Sequence, residues 1–409
     1  MQRQPTRARY WVIVFAVTLA ILSYIDRVAI SQAAAPISRD LHLSKSAMGL
    51  VFGSFALAYS LFEVPSGWLG DRMGPRRVLV RIVLAWSAFT ALTGAAWNFA
   101  SLWTIRFCFG AGEAGTFPNI TKMYSLWIPP RERARAQGIV WAFARWGGAF
   151  TPPLVVFAFQ YVNWRVAFAS FAGLGIVWCL IFARWFRDRP GDHKSVNAAE
   201  LELIGPGDMI AHTAPPWSKL IAHRALWMLW IQYFCVSFGW YFYITWLPTY
   251  LQEFRKLSPA EAARLAILPL LFGGFGSLIS GAISARVPRA RRAVAIAGMV
   301  GAAVFICIFT KIPPALPAML ILGLASLFND LAVPAAWHAC MDIGGKYSGT
   351  VSGSMNMMGN LAGFTAPVFG GFLLDRTHGD WNLLLYVMAG VYLAGAMCWP
   401  FIDTAEKIG

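Results

Sequence analysis

Arg106-Phe-Cys-Phe-Gly-Ala-Gly-Glu113 sets two charges seven residues apart inside an apolar run long enough to cross a bilayer. In one helix that spacing is two turns, so both side chains project the same way, roughly 10 Å apart along the axis. An arginine or an acid near the bilayer centre costs about 2.5–3.5 kcal/mol on insertion scales. A chain that keeps both on one stripe aims them at a water-filled cavity or at each other. Two readings stay open: a structural pair holding helices together, or a site where the arginine meets an anion and the glutamate carries a proton.

The rest of the chain agrees with a membrane setting. Of 409 residues, 58% are hydrophobic and only 13% charged, about half the charge of a soluble domain. The net charge of +15 would suit nucleic acid, but the basic residues sit in short loops between apolar runs. That distribution is a topology signal and not a binding face, so no nucleic-acid partner is expected. Cys108, Cys179, Cys235, Cys307, Cys340 and Cys398 are scattered singly, without metal-ligand or disulfide spacing, and neither metal nor cofactor is expected. The 19 Trp and 37 Gly fit interfacial belts and close helix packing.

Twelve apolar spans can be read, each near the roughly 20 residues a bilayer requires. They fall at 10–30, 46–69, 77–97, 100–123, 137–161, 165–186, 225–250, 262–284, 293–311, 314–338, 348–374 and 382–402. The first resembles a signal peptide, with Arg3, Arg7 and Arg9 ahead of it and Ala33-Ala-Ala-Pro36 behind. Its length, and Asp26-Arg27 inside it, argue for a retained helix. Placing both termini in the cytoplasm puts most of the 34 basic residues on that side, including Arg72, Arg76, Arg77, Arg131, Arg133, Arg135, Arg286, Arg289, Arg291 and Arg292.

The longest polar stretch, about 187–224, reads as a cytoplasmic linker. It divides an N-terminal six-helix bundle, 1–186, from a C-terminal one, 225–409. The halves echo one another: Gly147-Gly-Ala-Phe-Thr-Pro152 in span five resembles Leu361-Ala-Gly-Phe-Thr-Ala-Pro367 in span eleven. Likewise, Trp164 opens span six as Trp381 opens span twelve. The expected fold is an all-α membrane protein of twelve helices in two pseudo-symmetric bundles, rocking about a midplane site as a monomer.

After span two comes Gly67-Trp-Leu-Gly-Asp71-Arg72-Met-Gly74-Pro-Arg76-Arg77. It resembles the signature loop of the major facilitator superfamily, G-x-L-x-D-R-x-G-x-R-R, departing only at Pro75, where a basic residue is usual. The glycines permit close packing and a tight turn. Asp71 can meet an arginine or a helix N-terminus and latch the cytoplasmic end. Ala285-Arg286, in the equivalent loop after span eight, lacks the aspartate. Arg131-Glu132-Arg133-Ala-Arg135 resembles the superfamily's cytoplasmic charge network, so Gly67, Asp71, Arg72, Gly74, Arg76, Arg77, Glu132 and Arg133 are the gating candidates.

Tyr24-Ile-Asp26-Arg27, Tyr59 with Glu63, Arg106…Gly-Glu113-Ala-Gly-Thr-Phe-Pro118-Asn119, Trp164-Arg165-Val-Ala-Phe168 and Thr245-Trp246-Leu-Pro248-Thr-Tyr250 narrow the resemblance. Together they resemble the anion:cation symporter family, which includes bacterial carriers of galactonate, glucarate and hexuronate and animal vesicular glutamate and phosphate-type carriers. The resemblance covers nearly the whole chain. It implies that Arg27 and Arg106 take a substrate carboxylate and that Asp26 and Glu113 carry coupling protons.

The residues support that independently, since two guanidiniums offer the planar forks that suit a carboxylate and the two acids can neutralise them in the empty state. Glu63 is either a third proton site or a structural partner for Arg145, and Arg145 is either that partner or a second anion contact. Lys122 is expected to snorkel to the interface. The second half supplies Gln232, Tyr241, Thr245, Trp246, Asn356 and Asn360, which with Tyr59 complete the expected substrate contacts. Asp330 is the clear charge within its spans.

The function expected is a proton-coupled importer of an organic anion, a sugar acid (aldonate, aldarate or hexuronate), in the bacterial inner membrane. The alternatives are a carrier of an aromatic or dicarboxylic acid, with Trp240, Tyr241, Tyr243 and Trp246 stacking on a ring, and a drug/H⁺ antiporter. A receptor or membrane enzyme is remote, because no nucleophile triad, phosphate-cradling loop or metal spacing appears.

Overall fold

The computed structural model describes residues 4–43, 45–159, 161–205, 217–247, 250–287 and 290–404. Each expected span falls on one helix or a broken pair. The first half carries α1 (Arg9–Gln32), α2 (Ala34–Asp40), α3 (Lys45–Met73), α4 (Pro75–Thr93), α5 (Phe99–Glu113), α6 (Thr116–Trp127), α7 (Pro130–Phe159) and α8 (Trp164–Trp185). Two short helices, α9 (Ala198–Ile204) and α10 (Trp217–Ala222), lie in the linker. The second half carries α11 (Arg224–Thr245), α12 (Pro259–Leu265), α13 (Ile267–Arg286), α14 (Arg291–Phe309), α15 (Ala315–Gly344), α16 (Ser348–Arg376) and α17 (Trp381–Ala396). Pro248 and Arg289 lie outside the described residues.

Seven stretches of these helices have the length and hydropathy of a membrane crossing. Two of the expected spans that fall short do so for visible reasons. Span four is broken, leaving α5 at only 15 residues, and α7 opens on Arg131, Glu132, Arg133 and Arg135 and holds Arg145 farther along.

The packing repeats between halves. In the first, α1 lies on α7, α3 on α5 and α4 on α8; in the second, α11 lies on α16, α13 on α15 and α14 on α17. The two sets meet through α3 against α16 and α7 against α13. Glycines make these seams close. A Cβ at Gly67 would fall on the carbonyl of Gly349, and one at Gly138 on the carbonyl of Ser277.

Span four departs from the expected continuous helix. Glu113 is the last residue of α5, Ala114 turns extended, and Gly115 adopts φ +88° before α6 begins. Only glycine takes that conformation without strain. Ser66 lies where a Cβ at 115 would be, so the break also brings α3 against the chain. Arg106 and Glu113 still share α5. What the break changes is the direction in which the chain leaves Glu113.

The linker is tied to the start of the chain. Glu200 on α9 is wholly buried and accepts the backbone N–H groups of Ala8 (3.0 Å) and Arg9 (3.1 Å), the Thr6 hydroxyl, and Arg9 Nη1 at 3.2 Å. Burial alone would push its carboxyl up, yet these donors together hold it below its ordinary value.

Candidate functional site

Four charged side chains from α1 and α5 converge inside the first bundle. Arg27 Nε donates to Glu113 Oε1 at 2.8 Å, and Ser23, one turn earlier on α1, donates its hydroxyl to the same oxygen. The other oxygen, Oε2, is buried without a hydrogen bond. Arg106 is 2% exposed, and among the described residues it forms no hydrogen bond or ion pair. Its guanidinium carbon sits 4.1 Å from the ring centre of Phe109 and 5.7 Å from that of Phe55. Asp26 lies within reach of the charges of both Arg106 and Glu113, and its Oδ1 lacks a partner.

Aromatic rings wall the arginines. Around Arg27 stand Tyr59 (4.5 Å), Phe55 (5.3 Å), Tyr24 (5.7 Å) and Phe117 (5.7 Å). Ring faces attract a cation without consuming its N–H donors. The guanidiniums are thus held in place while keeping hydrogen-bonding capacity, as shown by the unpartnered Nη2 of Arg27 and Nε of Arg106. Two arginines so arranged offer fork-shaped donors to a carboxylate. Ser23 and Phe55 are absent from the sequence reading, and Tyr24 and Phe117 enter it only inside motifs, without a role. The helical spacing of Ser23 before Arg27 was the available signal.

The structure reassigns three charges. Arg145 does not pair with Glu63. Its Nε and Nη2 each lie 2.9 Å from an oxygen of Asp330, and its Nη1 donates to Tyr24 at 3.3 Å. Glu63 instead accepts from Asn356 at 2.8 Å, joining α3 to α16. Lys122 does not snorkel: it is fully buried, 3.4 Å from Asp71 Oδ1, and donates to the Lys346 carbonyl at 2.7 Å. α6 runs on to Trp127, which places Lys122 between the halves and not at a membrane surface.

Not all of the second-half candidates meet the arginines. Tyr241 donates to Asn360 Oδ1 at 3.2 Å and has both Arg27 and Arg145 within charge range. Thr245 bonds back to the Tyr241 carbonyl, and Trp246 packs on Trp381 and beside Gly370. Gln232 shares a helix face with Cys235 and Gly239, which abut Gly395 and Tyr392 of α17. It is wholly buried there with both amide atoms unbonded, away from the face of α11 that carries Tyr241. The expected ring-stacking cluster is likewise divided, with Trp240 over Arg145 at 4.3 Å and Trp246 on Trp381.

At the end of the bundle where α1 begins and α3 ends, Asp71 accepts the backbone N–H of Gly349 (3.0 Å) and of Thr350 (2.6 Å) and the Thr350 hydroxyl (2.7 Å). These N–H groups belong to the first turn of α16, where the helix dipole favours an anion. Gly67 and Asp71 are therefore cross-half contacts. Gly74 (φ +83°) and Arg76 instead meet Asp188 after α8, Arg72 stacks on Trp68, and Arg77 is exposed. Glu132 pairs with Arg9, and Arg133 caps the carbonyls of Ser125 and Ile128 at the end of α6. No cluster of three or more metal-ligating side chains occurs among the described residues.

Buried charges between two matching sets of membrane helices, closed at one end by cross-half hydrogen bonds, define a multi-pass membrane transporter. Comparison with known proteins agrees. The sequence model of the Major Facilitator Superfamily matches residues 16–367. A probable sulfoacetate transporter of Cupriavidus necator is 36% identical over 98% of this chain and 95% of that protein. A probable galactarate/D-glucarate transporter of Escherichia coli is 30% identical over 93% and 90%. The human organic anion transporter MFSD10 superposes with a TM-score of 0.72 over 97% of this chain and all of that one, at 17% identity. The chain belongs to the Major Facilitator Superfamily and is a transporter and not an enzyme.

Proposed function

We propose that this protein imports an organic anion, a sugar acid or a comparably small sulfonated carboxylate, together with protons. The reading rests on one observation: Arg27 is neutralised by Glu113, while the more deeply buried Arg106 has no hydrogen bond or ion pair among the described residues. An unpaired buried guanidinium is costly to keep, and a substrate carboxylate is the group that completes it. Once the anion occupies the arginines, Glu113 loses its counter-charge and holds a proton instead, with Asp26 beside it as the second carrier. Anion and proton then move together.

In this reading the bundles 1–186 and 225–409, joined by the linker 187–224, rock about the site as a monomer. Both termini are cytoplasmic, as the basic loops direct, and Asp71 latches the cytoplasmic end. Relatives named for galactarate/D-glucarate and for sulfoacetate support an anionic substrate. The deciding experiment is uptake by purified protein in liposomes under an inward proton gradient, with labelled glucarate, galactonate, sulfoacetate, phthalate and lactate. Uptake of a sugar acid or sulfoacetate that collapses with a protonophore is the expected result. Movement of phthalate alone would transfer the assignment to an aromatic acid. Uptake indifferent to the gradient would remove proton coupling.

A further inference from the structure

Arg145 and Asp330 form a buried charge pair across the two halves, and the mechanism above does not use it. The arginine comes from α7 in the first half, the aspartate from α15 in the second, and their side chains are 5% and 0% exposed. Each is braced from its own side. Asp330 Oδ1 also accepts from Asn329, whose Oδ1 in turn accepts the Tyr392 hydroxyl at 2.8 Å. Arg145 lies under Trp240 and donates to Tyr24. Glycines make the room: a Cβ at Gly273 would collide with Asp330 and one at Gly148 with Tyr24.

Tyr24 links this pair to the anion site. Its hydroxyl takes Arg145 Nη1, and its ring stands 5.7 Å from the guanidinium carbon of Arg27. A single side chain therefore separates the two arginines, and Tyr241 has both within charge range. A buried, bidentate ion pair is poor evidence of a stabilising device, because apolar residues of similar volume often serve as well. The fork of Arg145 is nevertheless shaped for a planar carboxylate, and Asp330 occupies it as one.

We propose that Arg145 is a second anion pole and that the transported substrate is a dianion with an acid group at each end. One end takes Arg27 and Arg106; the other replaces Asp330 on Arg145. Asp330 keeps Asn329 as a donor and takes a proton in place of the guanidinium, which leaves no unpaired carboxylate in the membrane. This rests on the organic-anion reading and adds to it the number of the charges. Arg145 thereby sets selectivity between substrates with one acid group and those with two.

The test is equilibrium binding to the purified full chain of two matched probe pairs, glucarate against gluconate and sulfoacetate against acetate. Each pair differs by the presence of the second acid group. In at least one pair the wild type should prefer the dianion by about tenfold or more, the scale of one charge-assisted pair. The double variant Arg145→Gln/Asp330→Asn, which removes both charges and strands neither, should bring that ratio to within about twofold. A preference that persists in the double variant would overturn the role of Arg145. Monoanions binding the wild type as well as dianions would overturn the second pole even if the variant failed to fold. Binding of none of the four probes would instead take down the organic-anion reading beneath it.

Discussion

Arg27 Nε donates to Glu113 Oε1 across 2.8 Å, while the second oxygen of that carboxylate is buried with no donor. A carboxylate held by one guanidinium and the Ser23 hydroxyl is poised to trade its charge for a proton when a substrate competes for the arginine. Glu113→Gln imitates the protonated acid. The variant should bind substrate within about threefold of wild type and catalyse exchange between loaded and unloaded sides. It should fail to accumulate substrate against its gradient, and counterflow and proton-driven uptake in the same liposomes separate the two. Wild-type accumulation by the glutamine variant would rule out Glu113 as the coupling acid.

The two arginines should differ in how their loss is felt. Removing one charge-assisted contact costs about 1.5–3 kcal/mol, on the order of tenfold to a hundredfold in affinity. Arg106→Ala removes a guanidinium with no ion-pair partner, so affinity should fall by that amount with little change in thermal stability. Arg27→Ala should lose a similar affinity and also strand Glu113, lowering the melting temperature as well. Calorimetric titration and a thermal-shift series on both variants check the pair. Equal melting losses would contradict the asymmetry seen here.

Asp71 meets two backbone amides and a hydroxyl at the start of α16, besides Lys122. Asn at this position has one accepting oxygen and turns an NH₂ toward N–H donors. Asp71→Asn should therefore weaken the closed end by about 1–3 kcal/mol, slowing uptake roughly tenfold while leaving equilibrium affinity within about threefold. A large affinity loss would place Asp71 in the binding site and not in the latch.

The charges of the site were legible because an apolar span advertises every ionisable residue it keeps, and Asp26, Arg27, Arg106 and Glu113 do converge. Their partners were harder to read. Asp330 lies 185 residues from Arg145, and only the fold brings α15 beside α7. The partners of Asp71 are backbone amides, which no side-chain identity announces. Gly-Ala-Gly before Glu113 and Ala-Gly after it fit a continuous helix as well as a broken one, and the left-handed Gly115 decides it. Lys122 looked terminal because the apolar run ends near it. The helix continues, and the burying surface belongs to the other half of the chain. Gln232 is expected at the site for its polar side chain, and the helical phase of α11 turns it toward α17 instead.

Glu200 gives the pH dependence outside the membrane. Its folded-state carboxyl is held below its ordinary value of 4.5 by Thr6, two amides and Arg9, despite burial. A depressed acid contributes stability that is complete above its unfolded value and lost as pH falls through the folded one. The amides of Ala8 and Arg9 should be protected from hydrogen exchange near neutrality and lose that protection as pH drops below about 4.5, after correction for intrinsic exchange. Glu200→Gln should show the weaker protection at every pH. Protection in wild type that rises on acidification would reverse the sign and refute the assignment.

Gly67 tests whether the closed end is set by backbone contact as well as by Asp71. A Cβ there would land on the Gly349 carbonyl, a backbone group that cannot rotate aside. Gly67→Ala should raise the energy of the closed end by about 1–3 kcal/mol, a shift of roughly 5- to 150-fold in the closed-to-open ratio. Ser125 reports on that end, since its hydroxyl lies 3.3 Å from Ser348 across the two halves and is buried. With the six native cysteines replaced, Ser125→Cys should react slowly with a maleimide when residue 67 is glycine. It should react at least several-fold faster when residue 67 is alanine. Uptake should fall in parallel, because a carrier that cannot close one end cannot complete its cycle. Unchanged labelling would mean that the α3–α16 seam yields to a methyl group, leaving Asp71 and Lys122 as the elements that hold the end shut.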